Sequence, residues 1–326
     1  MGSSEKTTSR SDGEQDVQGI AAPSISLPKG GGAIRGIGEK FAANPVTGTG
    51  SMSVPIATSP GRSGFGPQLG LSYDSGAGNG PFGFGWNLST PAIARKTDKG
   101  LPQYFDAGES DVFILSGAED LVPELQPDGG RFEDKTTDPA YTIHRYRPRI
   151  EGLFARIERW TRNTDGDVHW RSITKDNILT LYGKDSHSRI ADPGDPTHVF
   201  SWLICETRDD KGNAVVYEHK SEDGANVDLT EAHERNRGDQ NSPLRKANRY
   251  LKRIRYGNRT PLLDNAGRRP RFLTQADIDN AGWMFEVVFD YAEGHYQALP
   301  NDAEGREYVT VSTSESNDWP VRTDPF

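Results

Sequence analysis

The sequence predicts a mainly β protein, built from many short antiparallel strands that form a curved sheet or a sandwich. Apolar and polar residues alternate over short runs that end at glycine, proline or Asp-Gly turns. The 326 residues include 36 glycines and 21 prolines, both above ordinary usage. The predicted strands do not alternate with long amphipathic helices, so a doubly wound α/β sheet is excluded.

Glycines and aromatic rings are concentrated in the stretch Gly64–Pro91. A strand is predicted at Leu69–Tyr73, followed by tight turns in which backbone lies close beneath large side chains. We expect the aromatic rings to pack under the sheet, as a structural corner. The predicted structural signature consists of Gly76, Gly78, Gly80, Phe82, Gly83, Gly85 and Trp86.

Elsewhere the clearest local signals are hairpins. An Asp-Gly pair at Asp165-Gly166 separates two alternating runs, which is typical of a hairpin turn. Thr274 ahead of an acidic turn, with Gly282 beyond it, predicts one short helix. Residues 229–248 are polar and read as a surface insertion or an irregular helix. The sequence predicts about 14 strands in all, at 51–60, 69–73, 92–96, 111–115, 119–122, 141–147, 153–161, 168–173, 178–182, 199–208, 214–219, 250–256, 283–291 and 308–312.

Composition and charge exclude several classes of function. The net charge of −9 argues against a general nucleic-acid binder, whose field is positive. No run approaches the roughly 20 apolar residues that span a bilayer, so direct membrane insertion is not expected. Residues 1–22 are polar and are predicted to be a disordered tail, with 23–326 forming the β domain. The tail has no apolar core, so we expect synthesis in the cytoplasm without a classical signal peptide.

The sequence contains no motif that predicts a catalytic, cofactor-binding or metal-binding residue. A phosphate cradle at the glycine run would need a helix directly after it, and proline and aromatic residues follow instead. The seven histidines include no pair at the spacing of a helical zinc site, and His233-Glu234 lacks the second histidine. No Gly-x-Ser-x-Gly elbow is present. The lone Cys205 lies in an apolar run, which favours a buried inert thiol over a nucleophile.

Long runs of the sequence resemble the N-terminal part of the SpvB/TcaC family. The resemblance begins near residue 24 and is carried by SMSVPIATSPGRSGFGPQLGLSYDSGAGNGPFGFGWNLSTP, DVFILSGAEDLVP, RPRIEGLFARIERW and FSWLICETRDDKGNAVVYEH. It implies a non-catalytic structural or translocation module of a secreted bacterial toxin. In the B components of insecticidal toxin complexes, this region belongs to a β-rich, Rhs-like shell that encloses a toxic segment. In SpvB-type proteins it precedes a separate ADP-ribosyltransferase domain.

The resemblance also implies partners and leaves alternatives open. The expected partners are other toxin components or the downstream part of the same chain, since VRTDPF at the end resembles a point where family members continue. A wall exposed on both faces would fit the hydrophobic content of 33%. One alternative is a secretion or surface-binding module for carbohydrate or a host protein, using Trp160, Trp170 and Trp319, although these rings are expected to be mostly core. The other is the transferase itself, but Ser312-Thr313-Ser314 is not followed by the Glu-x-Glu pair of such enzymes.

Overall fold

In the computed structural model, the described residues are 40–44, 48–116, 119–150, 154–222, 229–230, 234, 237–239, 241–291, 296–299 and 308–311. Strands dominate this part of the chain, as the sequence predicts. The strands are β1 Lys40–Asn44, β2 Thr49–Ile56, β3 Leu69–Asp74, β4 Asn79–Gly80, β5 Gly83–Phe84, β6 Trp86–Leu88, β7 Ala92–Arg95, β8 Phe113–Leu115, β9 Glu119–Pro123, β10 Glu133–Asp134, β11 Tyr141–Pro148, β12 Arg156–Arg162, β13 Val168–Ile173, β14 Leu179–Tyr182, β15 Arg189–Asp192, β16 Asp195–Arg208, β17 Ala214–Ser221, β18 Arg249–Asn258, β19 Trp283–Val288, β20 Tyr296–Leu299 and β21 Tyr308–Val311.

Helical structure is confined to short pieces in the described residues. Helix α1 spans Gln275–Asp279, and the Thr274 side chain forms a reciprocal capping box with Asp277, which confirms the predicted helix start. Single 3-10 turns lie at Arg62–Gly64, Asp106–Gly108, Ser186–Ser188 and Pro243–Lys246. The last of these lies in the polar stretch that the sequence assigned to an insertion or an irregular helix.

The chain divides into two compact units. The first comprises Met1–Ile56 and Gly70–Ser89; its described strands form a four-stranded sheet in the order β1-β2-β3-β6, and β4 pairs with β5 in a separate small hairpin. The second comprises Ala57–Leu69 and Thr90–Phe326. The predicted tail at 1–22 lies outside the described residues, so it stays a prediction.

The second unit contains a closed antiparallel barrel. Its strands follow the order β14-β13-β12-β11-β9-β8-β7-β16, and β16 pairs back onto β14. Strands β17, β18 and β19 continue outward from β16 as an extension of the same sheet. Closure removes the open strand edges that a flat sheet of these strands would leave.

The barrel interior is filled by large apolar side chains. Each of the eight strands contributes at least one residue to a single buried cluster, which is the arrangement expected inside a small barrel. Trp170 and Trp202 are 0% and 1% exposed, so the expectation that Trp170 belongs to the core is confirmed. The cluster consists of Ile93, Phe113, Leu115, Leu121, Tyr146, Ile157, Trp170, Tyr182, Val199, Trp202 and Ile204.

The predicted hairpins are present in the barrel and its extension. Strands β12 and β13 pair from Arg156↔Ile173 to Thr161↔Val168, with Gly166 at φ +74° in the turn. Strands β8 and β9, and strands β16 and β17, also pair as hairpins from runs that the sequence predicts to be strands. Strand β19 ends at Val288, before the end of the predicted run 283–291, and strand β16 has fourteen residues. Strand β16 is long because it borders β7 and β15 along one part and β14 and β17 along the other.

A segment that we call the strap, residues 260–282, connects β18 to β19 and carries α1. Phe272 of the strap packs near Leu179, Leu181 and Cys205 on the outside of the barrel. Strands β12, β13 and β14 are consequently buried at successive positions. The expectation of a wall exposed on both faces is therefore wrong for these strands.

Candidate functional site

The signature residues lie in the connection between β3 and β6 of the first unit. Asn79 and Gly80 pair with Phe84 and Gly83 as a small hairpin. Gly85 has φ +78°, and a Cβ atom there would lie 2.5 Å from the Tyr73 ring and 2.9 Å from the Asp74 carbonyl oxygen. Glycine is therefore required at this position for both its backbone angle and its space.

The aromatic side chains of the signature do not share one environment. Trp86 is half-buried, and its ring centroid is 5.3 Å from that of Tyr73. Phe82 is also half-buried. Phe84 is 60% exposed, so the expectation that all three rings pack under the sheet is wrong. The exposed ring belongs to the short β4–β5 hairpin, which pairs only with itself among the described strands.

One end of the barrel interior is organised by a buried arginine. Arg95 is 2% exposed, and its guanidinium donates to Asp106 at 2.6 and 3.0 Å and to Asp111 at 2.7 Å. Its Nε donates to the Val199 carbonyl oxygen at 2.8 Å. The guanidinium carbon also lies 5.4 Å from the Trp202 ring centroid, in the range of a cation–π contact. These contacts join β7, β16 and the connection between β7 and β8.

The carboxylate of Asp111 is held in its ionised form. Burial alone would raise its pKa, but hydrogen bonds from the backbone amides of Gln103 and Tyr104 and from Arg95 lower the pKa below its usual value. Donors that stabilise the charged form outweigh desolvation here. The Arg95 cluster is thus a satisfied ionic network, and sequence reasoning missed it because an arginine at a strand end normally faces water.

The outer face of β12 and β13 carries a second layered cluster beneath the strap. The guanidinium carbon of Arg171 lies 3.6 Å from the Trp160 ring centroid and 4.7 Å from that of Phe272. His169 lies beside them and meets Phe272 edge-on, with the two ring centroids 5.5 Å apart. Burial lowers the pKa of Arg171 to about 10. Trp160 is 2% exposed, which confirms the expectation that it is buried; Trp319 lies outside the described residues.

Cationic side chains of the barrel donate hydrogen bonds to main-chain carbonyl oxygens of the strap. Arg208 donates to the carbonyl oxygens of Pro270 at 2.9 Å and Arg271 at 3.0 Å. Lys184 Nζ donates to the Leu273 carbonyl oxygen at 2.8 Å. Because these bonds bracket residue 272 on both sides, they fix Phe272 over the outer wall.

One cavity of the second unit has a volume of about 780 Å³, and many charged side chains line it. Three cations of the lining are already neutralised within the protein. Arg189 forms an ion pair with Asp167 at 2.5 Å and Arg162 with Asp165 at 2.8 Å, while Lys184 lies 2.7 Å from a Glu206 oxygen. These three groups do not supply a free charge for an ionic ligand.

Groups with nucleophilic or metal-binding chemistry are buried or scattered. Cys205 is buried, its Sγ contacts the Leu181 carbonyl oxygen at 3.3 Å, and burial raises its pKa to about 12. The expectation of an inert buried thiol is confirmed. Within the described ranges, no group of three His, Cys, Asp or Glu residues is placed to hold a metal ion. In the same ranges, no helix has the length and apolar character to cross a membrane.

A closed barrel with an aromatic core, internal ionic networks and a clamped outer strap defines a β-rich structural module. Residues 44–326 match the family model SpvB, described as the Salmonella virulence plasmid 65kDa B protein. The chain therefore belongs to the SpvB family, which confirms the resemblance seen in the sequence.

A curated relative supports the same assignment. The chain is 35% identical over 308 residues to the mono(ADP-ribosyl)transferase SpvB of Salmonella choleraesuis (strain SC-B67). The match covers 92% of this chain and 46% of that protein. The chain thus spans about half the length of the curated relatives it matches.

Solved structures identify which part of such proteins the chain resembles. The N-terminal domain of effector protein SpvB from Salmonella typhimurium strain LT2 is 34% identical, with a TM-score of 0.63, over 84% of this chain and 81% of that chain. The crystal structure of TcdB2-TccC3 is 32% identical, with a TM-score of 0.64, over 91% of this chain and 13% of that chain. The mainly β fold class is confirmed, and the matched region corresponds to the N-terminal domain of SpvB.

Proposed function

We propose that this chain is a non-catalytic structural and translocation module of a bacterial toxin, which helps to enclose or deliver a toxic segment. The observation that carries the proposal is the match to TcdB2-TccC3, in which nine-tenths of this chain corresponds to about an eighth of a much longer chain. A fold that fills so small a share of a large assembly serves as a building block of it.

The internal chemistry of the module supports a rigid wall. The buried guanidinium of Arg95 is paired inside the protein with Asp106 and Asp111. Buried polar networks of this kind specify one packed arrangement when every member is satisfied. The thiol of Cys205 is buried and protonated at neutral pH, so it supplies no nucleophile.

The partners that we propose are other components of the toxin or the downstream part of the same protein. Export and delivery to a host cell belong to the same proposal, since relatives are described as an effector protein and as a toxin holocomplex. A surface-binding module for carbohydrate is disfavoured, because Trp160 and Trp170 are buried and cannot form an aromatic platform.

The transferase activity in the name of the SpvB relatives is proposed to lie outside the matched region, which is under half of those proteins. Incubation of the 326-residue chain with labelled NAD and host-cell lysate should label no protein. A full-length SpvB relative run in parallel serves as the positive control. Labelling by the chain alone would contradict the proposal.

The structural role is tested in a full-length family member. Deletion of the matched region should leave any transferase activity of the remainder intact, while the remainder becomes more sensitive to limited proteolysis and is no longer delivered to host cells. Unchanged proteolysis and unchanged delivery after the deletion would refute the structural role. Loss of delivery without a change in proteolysis would instead favour the surface-binding alternative.

A further inference from the structure

The cluster beneath the strap depends on an uncharged histidine. Arg171 Nε donates to His169 Nε2 at 3.4 Å, and the two side chains are 6% and 3% exposed. Arginine is a donor only, and a protonated imidazole is also a donor only. The contact between Arg171 and His169 therefore exists only while His169 Nε2 carries no proton.

The surroundings of His169 oppose a positive charge there. Burial lowers its pKa well below the usual value, and Arg171, Arg189, Lys184 and Arg162 lower it further. The Glu158 carboxylate in the same layer is already bound by Trp160 Nε1 at 2.9 Å and by Arg156 at 2.9 Å. The charged groups that act on His169 are Arg162 of β12, Arg171 of β13, and Lys184 and Arg189 of the β14–β15 region, and Tyr141 of β11 contacts its ring. Glu158, Arg208 and Arg271 act on the neighbouring Arg171, and Arg271 of the strap also pairs with Asp138.

The strap itself is the lid over this histidine. The aromatic contacts of His169 include Phe272 of the strap, while Tyr141 and Trp160 lie on the wall, with ring centroids 5.6 and 5.8 Å away. Detachment of the strap would remove Phe272 and admit water to the imidazole. An exposed histidine takes up a proton near pH 6.5.

We propose that the strap is an acid-sensitive cover of the barrel wall. Uptake of one proton by His169 breaks its hydrogen bond from Arg171 and adds a further cation beside Arg171 and Lys184 at the Phe272 ring. Residues 260–282 then leave the barrel: Phe272 separates from the outer face of β12 and β13, and Leu262, Leu273 and Ile278 separate from Ala214 and Val216 of β17. The barrel, with its separate aromatic core, stays closed.

Proton linkage gives the direction and size of the effect. The closed state holds His169 neutral and the open state lets it ionise near pH 6.5, so the strap is fully held above that pH and is weakened as the pH falls. One proton gives at most a tenfold rise in the opening equilibrium for each pH unit. Between pH 6.5 and 4.5 the opening constant should therefore rise up to about 100-fold.

Hydrogen exchange on the 326-residue chain tests the proposal, after correction for the intrinsic pH dependence of exchange. Two backbone amides of the strap are the reporters. The amide of Leu262 donates to the carbonyl oxygen of Gly212, outside the strap, and the amide of Ile278 donates to the carbonyl oxygen of Thr274, within the strap. Their protection should fall with a slope near one decade per pH unit below pH 6.5, while peptides from β8 and β13, which exchange only when the whole barrel opens, stay more protected than the strap at every pH. His169→Gln should flatten this slope, and His187→Gln, at an exposed histidine, should behave as the wild type.

Two results would overturn the proposal. One is strap protection in the wild type that does not change between pH 7.5 and 4.5. The other is the same slope in His169→Gln as in the wild type. If His169→Gln does not fold, Phe272→Ala replaces it: a strap that is already open at pH 7.5 and has no further slope supports the proposal, and a slope that persists contradicts it.

Discussion

Replacing Trp170 by alanine should destabilise the barrel more than any change in the glycine-rich corner. Trp170 is 0% exposed, and its ring centroid lies 4.9 Å from those of both Phe113 and Tyr146 and 6.0 Å from that of Trp202. Removal of a buried Trp side chain costs about 3–5 kcal/mol. This free-energy cost already includes the loss of the edge-to-face ring contacts, because the same substitution removes the ring that makes them.

The matched comparison is Trp86→Ala. Trp86 is half-buried and has one ring contact, with Tyr73, so about half of the apolar area is lost and the cost should be about 1.5–2.5 kcal/mol. Phe84→Ala, at a ring that is 60% exposed, should change the free energy of unfolding by less than about 0.5 kcal/mol.

Urea unfolding followed by far-ultraviolet circular dichroism measures all three variants against the wild type. The expected order of midpoints is Phe84→Ala highest, then Trp86→Ala, then Trp170→Ala. A Trp170→Ala midpoint equal to that of the wild type would refute the assignment of Trp170 to the barrel core. A larger loss from Trp86→Ala would show that the corner, and not the barrel, limits stability.

Three further changes follow from particular contacts. Arg95→Met leaves the buried side chain of Asp111 and the half-buried one of Asp106 without their cation and should cost about 3–5 kcal/mol of unfolding free energy at pH 7; a cost under 1 kcal/mol would contradict the buried network. Gly85→Ala, at φ +78° with a ring 2.5 Å away, should cost more than Gly78→Ala, where no atom lies within 4 Å; equal melting temperatures would contradict the backbone requirement. Burial lowers the pKa values of His144 and His219 to about 4, so stability should fall as the pH drops from 6.5 to 4, by up to about 1.4 kcal/mol per pH unit for each histidine; urea midpoints at pH 7 and 5 that coincide would contradict this.

Local structure was largely predictable from residue patterns. The β12–β13 hairpin follows from Asp165-Gly166 between alternating runs, and Gly166 takes the positive φ that such a turn needs. The start of α1 follows from Thr274 and Asp277, which bond each other's backbone. These features depend on neighbours in sequence, so their energies are fixed locally.

The burial of side chains was predicted less well where the strap lies over the barrel wall. Alternation along β12 places Glu158 and Trp160 on one face, but it does not predict that Glu158 is only 5% exposed. The strap covers the outer face of this strand, and it comes from a segment more than one hundred residues later in the chain. No pattern within β12 contains that information.

The sequence by itself determined the fold class, the hairpin turns, the inert thiol of Cys205 and, through its resemblance, the family. Each depends on local alternation, turn chemistry or long stretches of similar sequence. Only the tertiary structure decided that β16 closes the strands into a barrel, that Arg95 is buried with two carboxylates, and that the strap seals His169 beneath Phe272. Those features depend on pairs of residues far apart in sequence, and their energies exist only once the chain has brought the partners together.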